Sequence, residues 1–147
     1  MYARAMVTVG MVMVLVAAGG CSQTQGVSTP KDANVEVSID EFEAENDSIK
    51  EVEVGVGGVL TVTLGSNATT GFSWSEDAVV GDAAVLKQTG HEYLEPGKEG
   101  VVGAAGNEVW TFDALKKGST VVSMEYGRPW EGGEKGVWTF ELTVTVK

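Results

Sequence analysis

A single histidine, His91, and a single cysteine, Cys21, are the only imidazole and the only thiol in this 147-residue chain. No serine is spaced to pair with His91, so nucleophilic catalysis is not expected and His91 reads as a structural residue in a strand. Cys21 closes an apolar N-terminal run, which excludes a thiol nucleophile or a thiolate metal site inside the fold. The carboxylates concentrate in "DEFEAEND", residues 40–47, without the spacing of a calcium loop, and read as a solvated acidic segment. No cofactor, no metal and no enzymatic activity are expected. What remains is the chemistry of binding.

Three short segments carry it. In Asn67-Ala68-Thr69-Thr70-Gly71-Phe72, the Asn side chain can close a turn on its own backbone, and Gly71 permits a positive φ. Thr69 and Thr70 add stiff side chains with hydroxyls and no ionisable group. Gly103-Ala104-Ala105-Gly106 is nearly bare backbone, able to lie flat against a partner and exchange main-chain hydrogen bonds. With neither a following lysine nor a helix, it is not a phosphate cradle. In Arg128-Pro129-Trp130, proline stiffens the backbone and sets a guanidinium beside an indole, the residue types richest in interface hot spots. The bland readings are an ordinary turn, a flexible connector and a tryptophan folded back over the end of the domain. Asn67-Ala68-Thr69 and Asn46-Asp47-Ser48 also match glycosylation acceptors, discounted because the N-terminus indicates bacterial-type export.

The elements that must position these segments are strands. Apolar residues alternate with polar ones around 49–54, 59–64, 72–76, 84–93, 108–113, 120–126 and 137–146. Leu60, Val62 and Leu64 share one face, as do Trp110 with Phe112, and Phe140, Leu142, Val144 and Val146. No segment after residue 34 has convincing helical periodicity. Short alternating strands with Gly-rich turns predict an all-β, immunoglobulin-like antiparallel β-sandwich, with Trp74 in its core. Successive strands run up and down, so the loops 65–71, 94–107 and 127–136 emerge at the same end. Those loops contain the three segments.

Acidic residues outnumber basic ones 21 to 10, and a net charge of −11 argues against nucleic acid as a partner. Residues 1–20, with Arg4 before the apolar stretch Ala5–Ala18, have the layout of an export signal, short for a membrane span. "AAGGC" resembles the bacterial lipobox, with Ala18 where leucine is usual, and implies lipid attachment at Cys21. Plain cleavage and an uncleaved anchor are the alternatives. Residues 21–34 read as a flexible tether of about 20 Å reach. The domain is expected over 35–147, a monomer without disulfides, exported and lipid-anchored to the outer face of a bacterial-type membrane, at the periplasm or cell surface.

From about residue 45 onward the chain resembles the chagasin-like inhibitors of papain-family cysteine proteases. That family carries Asn-Pro-Thr-Thr-Gly-Phe, Gly-x-Gly-Gly and Arg-Pro-Trp, in this order, on an immunoglobulin-like sandwich. Ala68 stands here in place of the proline, and Ala105 in place of a glycine. The resemblance implies a three-part wedge. Residues 67–72 would enter the protease cleft, with Thr70 over the catalytic thiol and imidazole. Gly103–Gly106 would pair along the substrate side, and Arg128 with Trp130 would dock on the leaving-group side. A lipid-anchored adhesive module using the same loops is the competing reading; it explains fold and tether but not three motifs together.

Overall fold

The computed structural model describes residues 29–97 and 105–147. Its strands are β1 (Ala33–Val37), β2 (Asp47–Val54), β3 (Val59–Ser66), β4 (Ser73–Trp74), β5 (Val79–Val80), β6 (Leu86–Leu94), β7 (Gly106–Ala114), β8 (Gly118–Gly127) and β9 (Trp138–Val146). One helix, α1 (Ile39–Glu45), lies between β1 and β2. One sheet has the order β1-β3-β7-β6, the other β2-β9-β8-β4, with β5 also on β8. The two inner faces meet in a core that includes Leu60, Val62, Leu64, Trp110 and Phe112 from one sheet and Val122, Met124, Phe140, Leu142 and Val144 from the other. These are the residues that alternate in the sequence, because a strand with one wet face buries every second side chain.

The immunoglobulin-like sandwich holds, but it is not purely antiparallel. β1 pairs with β3 in parallel, and β2 pairs with β9 in parallel. The cause is a crossing. After β1 the chain passes over the loop end through α1 and enters the second sheet as β2, then returns to the first sheet as β3. Two reversals separate β1 from β3, so they run the same way.

That crossing corrects the reading of residues 40–47 as a solvated acidic segment without helix. Phe42, in the middle of α1, is wholly buried and packs on Trp74 and Trp138 at ring-centroid distances of 4.8 and 5.6 Å. A seven-residue helix with one deeply buried side chain has too few turns to show a period. Glu41 ties the helix to β2, accepting from Ser48 Oγ at 3.0 Å and pairing with Lys50 at 2.6 Å. Asn46, in the left-handed conformation at φ 59°, ends the helix and returns its N–H to Phe42 O. Gly65 allows the approach of α1, since a Cβ there would lie 2.4 Å from the Ile39 nitrogen. At the N-terminal boundary, Ala33 and Asn34, expected in the tether, already belong to β1, and Gly55 N–H donates to Pro30 O at 2.9 Å. Residues 1–28, which hold the expected export signal and the first part of the tether, lie outside the described residues.

Candidate functional site

β3, β6 and β8 run toward one pole of the sandwich, and the loops that follow them emerge there, as does α1. The first loop is a stiff tip. A single 3₁₀ turn spans Ala68–Thr70, and Gly71 closes it at φ 78°. Asn67 Oδ1 accepts the Thr69 hydroxyl at 2.6 Å and the Thr69 N–H at 3.3 Å. The Thr70 hydroxyl donates to Asn67 O at 2.8 Å. Both threonines therefore spend their donor protons inside the turn, which is one reason the tip is chemically quiet. Ala68, Thr69 and Thr70 are nevertheless exposed.

Two long-range bonds fix the stems of this loop. Asn67 N–H donates to the Tyr126 hydroxyl at 2.9 Å, and the Trp74 indole donates to Gly65 O at 3.0 Å. Trp74 is 2% exposed, the core tryptophan expected from its place in the sequence. Tyr126 stacks on Phe72 and Trp138, at 5.7 and 4.5 Å between ring centroids. Burial raises the phenol's pKa, so it stays protonated while it holds the loop.

The third loop meets the first directly. The Arg128 guanidinium lies 4.4 Å above the Phe72 ring and 5.9 Å from the Trp130 ring. Arg128 N–H donates to Glu134 O at 2.7 Å, and Lys135 donates to the carbonyls of Arg128 and Trp130. Trp130 is 52% exposed. It does not fold away into the sandwich; it stands beside Gly71 with Pro129 exposed next to it.

Of the second loop, Gly103 and Ala104 lie outside the described residues. Ala105 is exposed, and Gly106 pairs with Ser66, at the entry to the first loop. A Cβ on Gly106 would lie 2.4 Å from Leu94 O, so the close packing of β6 against β7 requires the glycine. The described parts of all three motifs thus converge on one pole.

Beneath them lies a residue that no motif contains. Glu108 on β7 is 4% exposed, and its Oε2 accepts Trp74 N–H at 2.8 Å. Burial pushes its pKa up to about 7; the Trp74 N–H opposes this and the Glu76 charge adds to it. His91 Nε2 lies 4.0 Å from Glu108 Oε1, and the imidazole packs on Trp110. No cluster of three or more metal-ligating side chains occurs among the described residues.

A sandwich with stiff, inward-bonded tips gathered at one pole is the architecture of a module that binds another macromolecule through its loops. The comparisons define which one. The profile of the Chagasin family peptidase inhibitor I42 matches residues 53–144, and the chain belongs to this family. It is similar to chagasin of Trypanosoma cruzi, 30% identical over 54% of this chain and 73% of the relative. It is also similar to amoebiasin-2 of Entamoeba histolytica, 23% identical over 65% of this chain and 76% of the relative. The crystal structure of the cysteine protease inhibitor EhICP2 from Entamoeba histolytica superposes with a TM-score of 0.61 at 20% identity, over 80% of this chain and 99% of the other. PbICP-C in complex with falcipain-2 gives 0.55 at 16% identity, over 78% and 99%. The fold is theirs. The chain is accordingly a protease inhibitor and not an enzyme, as the three motifs imply.

Proposed function

We propose that this chain blocks papain-family cysteine proteases by seating Asn67–Phe72 in the active-site cleft, flanked by Gly103–Gly106 and Arg128–Trp130. The observation that carries this reading is the bracing of the first loop. Its threonine donors are satisfied internally, its stems are bonded to Tyr126 and Trp74, and Trp130 stands against Gly71. A tip held in this way loses little conformational entropy on binding. It also places hydroxyls and glycine, and no strained scissile bond, before a nucleophile. Family membership supports the target class, and the falcipain-2 complex of a structural neighbour is consistent with it.

The test is titration of the full-length chain, in detergent, against papain with a fluorogenic peptide. Reversible nanomolar inhibition is expected. Absence of inhibition at high micromolar concentration would overturn the reading in favour of an adhesive module.

Lipid attachment at Cys21 is part of the same proposal, with the protein a monomer held at the outer face of a bacterial-type membrane. The lipobox-like "AAGGC" supports it. So does the geometry of the chain's entry, because Pro30 meets Gly55 at the pole opposite the loops, which an anchor would leave pointing away from the lipid. Cys21→Ser should move the protein from the membrane to the soluble fraction. A variant that stays membrane-bound would assign anchoring to the apolar run instead.

A further inference from the structure

The binding loop is held from beneath by a carboxylate of the opposite sheet. β4 has two residues and lies at the edge of its sheet, paired on one side with β8. The Trp74 N–H faces away from that ladder, into the interior, where an unpaired donor is costly. Glu108, reaching across from β7, accepts it at 2.8 Å. Trp74 follows Gly71-Phe72-Ser73, so this bond holds the outgoing stem of the first loop. The Trp74 indole in turn reaches Gly65 O, at the incoming stem.

We propose that Glu108 is a positioning residue for inhibition: by clamping β4 to β7 it holds Thr69–Gly71 in the cleft-entering conformation, and its protonation governs how firmly the clamp closes. This rests on the inhibitor reading and deepens it with a regulation of the same site.

The surroundings of the carboxylate explain the second half. From β6 it faces His91, whose Nε2 is buried without a hydrogen bond, and Tyr93 stands opposite in register. From β3 it faces the buried Ser66 Oγ, which makes no hydrogen bond of good geometry but whose hydroxyl dipole favours the ionised carboxylate. Tyr126 on β8 and Glu76 beyond β4 complete the set of titratable neighbours. Among the described residues no lysine or arginine pairs with it. Ionised, Glu108 is a buried anion that the Trp74 N–H and the Ser66 hydroxyl favour, but burial and the Glu76 charge outweigh them. Protonated, it keeps one oxygen for Trp74 N–H and avoids the cost of a charge held out of water, the larger of these effects. Opening the loop would hydrate the carboxyl and return it to the ordinary carboxylate range. The closed loop is therefore favoured fully at acidic pH and loses that advantage as pH rises through about 7.

Two variants of the full-length chain test this. Glu108→Gln keeps an acceptor and a permanent donor but cannot titrate, so the ratio of wild-type to variant inhibition constant should rise about threefold or more between about pH 5.5 and about pH 8. Taking the ratio at each pH removes the protease's own titration. Glu108→Ala should weaken inhibition about tenfold and release the Trp74 and Asn67 amides to hydrogen exchange while distant amides of β8 and β9 stay protected. A flat ratio with Glu108→Gln overturns the protonation half. If Glu108→Ala does not fold, the exchange of the same two amides against pH in wild type and Glu108→Gln decides. Unchanged exchange overturns the clamp. Should the wild-type chain fail to inhibit at all, the inhibitor reading fails alone, because amide exchange still reports the clamp.

Discussion

Gly71 and Trp130 are in contact: a Cβ added to Gly71 would lie 2.8 Å from the Trp130 ring. They sit 59 residues apart in the chain, on the first and third loops of the binding pole, and each limits where the other can go. Gly71 combines two requirements, a positive φ and an absent side chain. Trp130 rests an edge on that bare backbone and leaves half of its surface for a partner.

The first prediction follows from this contact. Trp130→Ala should weaken inhibition of papain by about 2 kcal/mol, roughly thirtyfold, because an exposed indole held by neighbours is the typical interface anchor. The change should be mainly in dissociation rate, read by progress-curve kinetics. A variant within twofold of wild type would remove the third loop from the site.

Ala68 opens the 3₁₀ turn, where φ near −60° suits proline, and Asn67 before it, at φ −118° and ψ 88°, is already outside the helical region that a following proline disfavours. Ala68→Pro should therefore stabilise the fold by about 0.5 kcal/mol, by restricting the unfolded chain. Inhibition should tighten modestly as well. Thermal unfolding and the inhibition constant check both; a destabilised variant would show that the turn departs from the proline-compatible geometry.

Phe42 closes the pole from inside, beneath the loops. Phe42→Ala should cost about 3–5 kcal/mol of stability through the cavity left against Trp74 and Trp138. Denaturant unfolding measures it. A cost under about 1 kcal/mol would mean that α1 is peripheral to the core.

Stability should also depend on pH through Glu108. Its folded pKa of about 7 stands above the ordinary carboxylate value, so the folded state holds a proton that the unfolded chain releases. The contribution is complete below about pH 4.5 and is lost as pH rises through about 7, with a size on the order of 3 kcal/mol. Unfolding curves of wild type and Glu108→Gln should thus diverge between those limits. Parallel curves would rule out Glu108 as the titrating group. Comparing the two variants is needed because the whole acidic chain also gains stability as its net charge falls.

Most of the fold was legible because its information is periodic. Leu60-Val62-Leu64 and Phe140-Leu142-Val144-Val146 alternate along the chain, and alternation is all a half-buried strand requires. Up-and-down connectivity then brings the three loops to one pole without further information. The loop motifs were legible for another reason: Gly71, Pro129 and the paired threonines are local choices, each matched to its own backbone or surface. Three features were not legible. α1 is too short for a period, the parallel pairings depend on where α1 lands, and Glu108 sits in "GNEVWTF" as an acid in an otherwise alternating strand, with nothing nearby in sequence to name Trp74 as its partner.

Taken alone, the chain's residue order determined a sandwich, its inner faces, and three quiet tips at a common end, since all of these follow from neighbours one to five positions apart. Only the tertiary structure decided what stands behind the tips. The Tyr126 hydroxyl on Asn67, the Phe42 plug and the Glu108 clamp each join residues at least 30 positions apart. Such bonds depend on how two sheets are set against each other, and the chain's local preferences do not encode that distance.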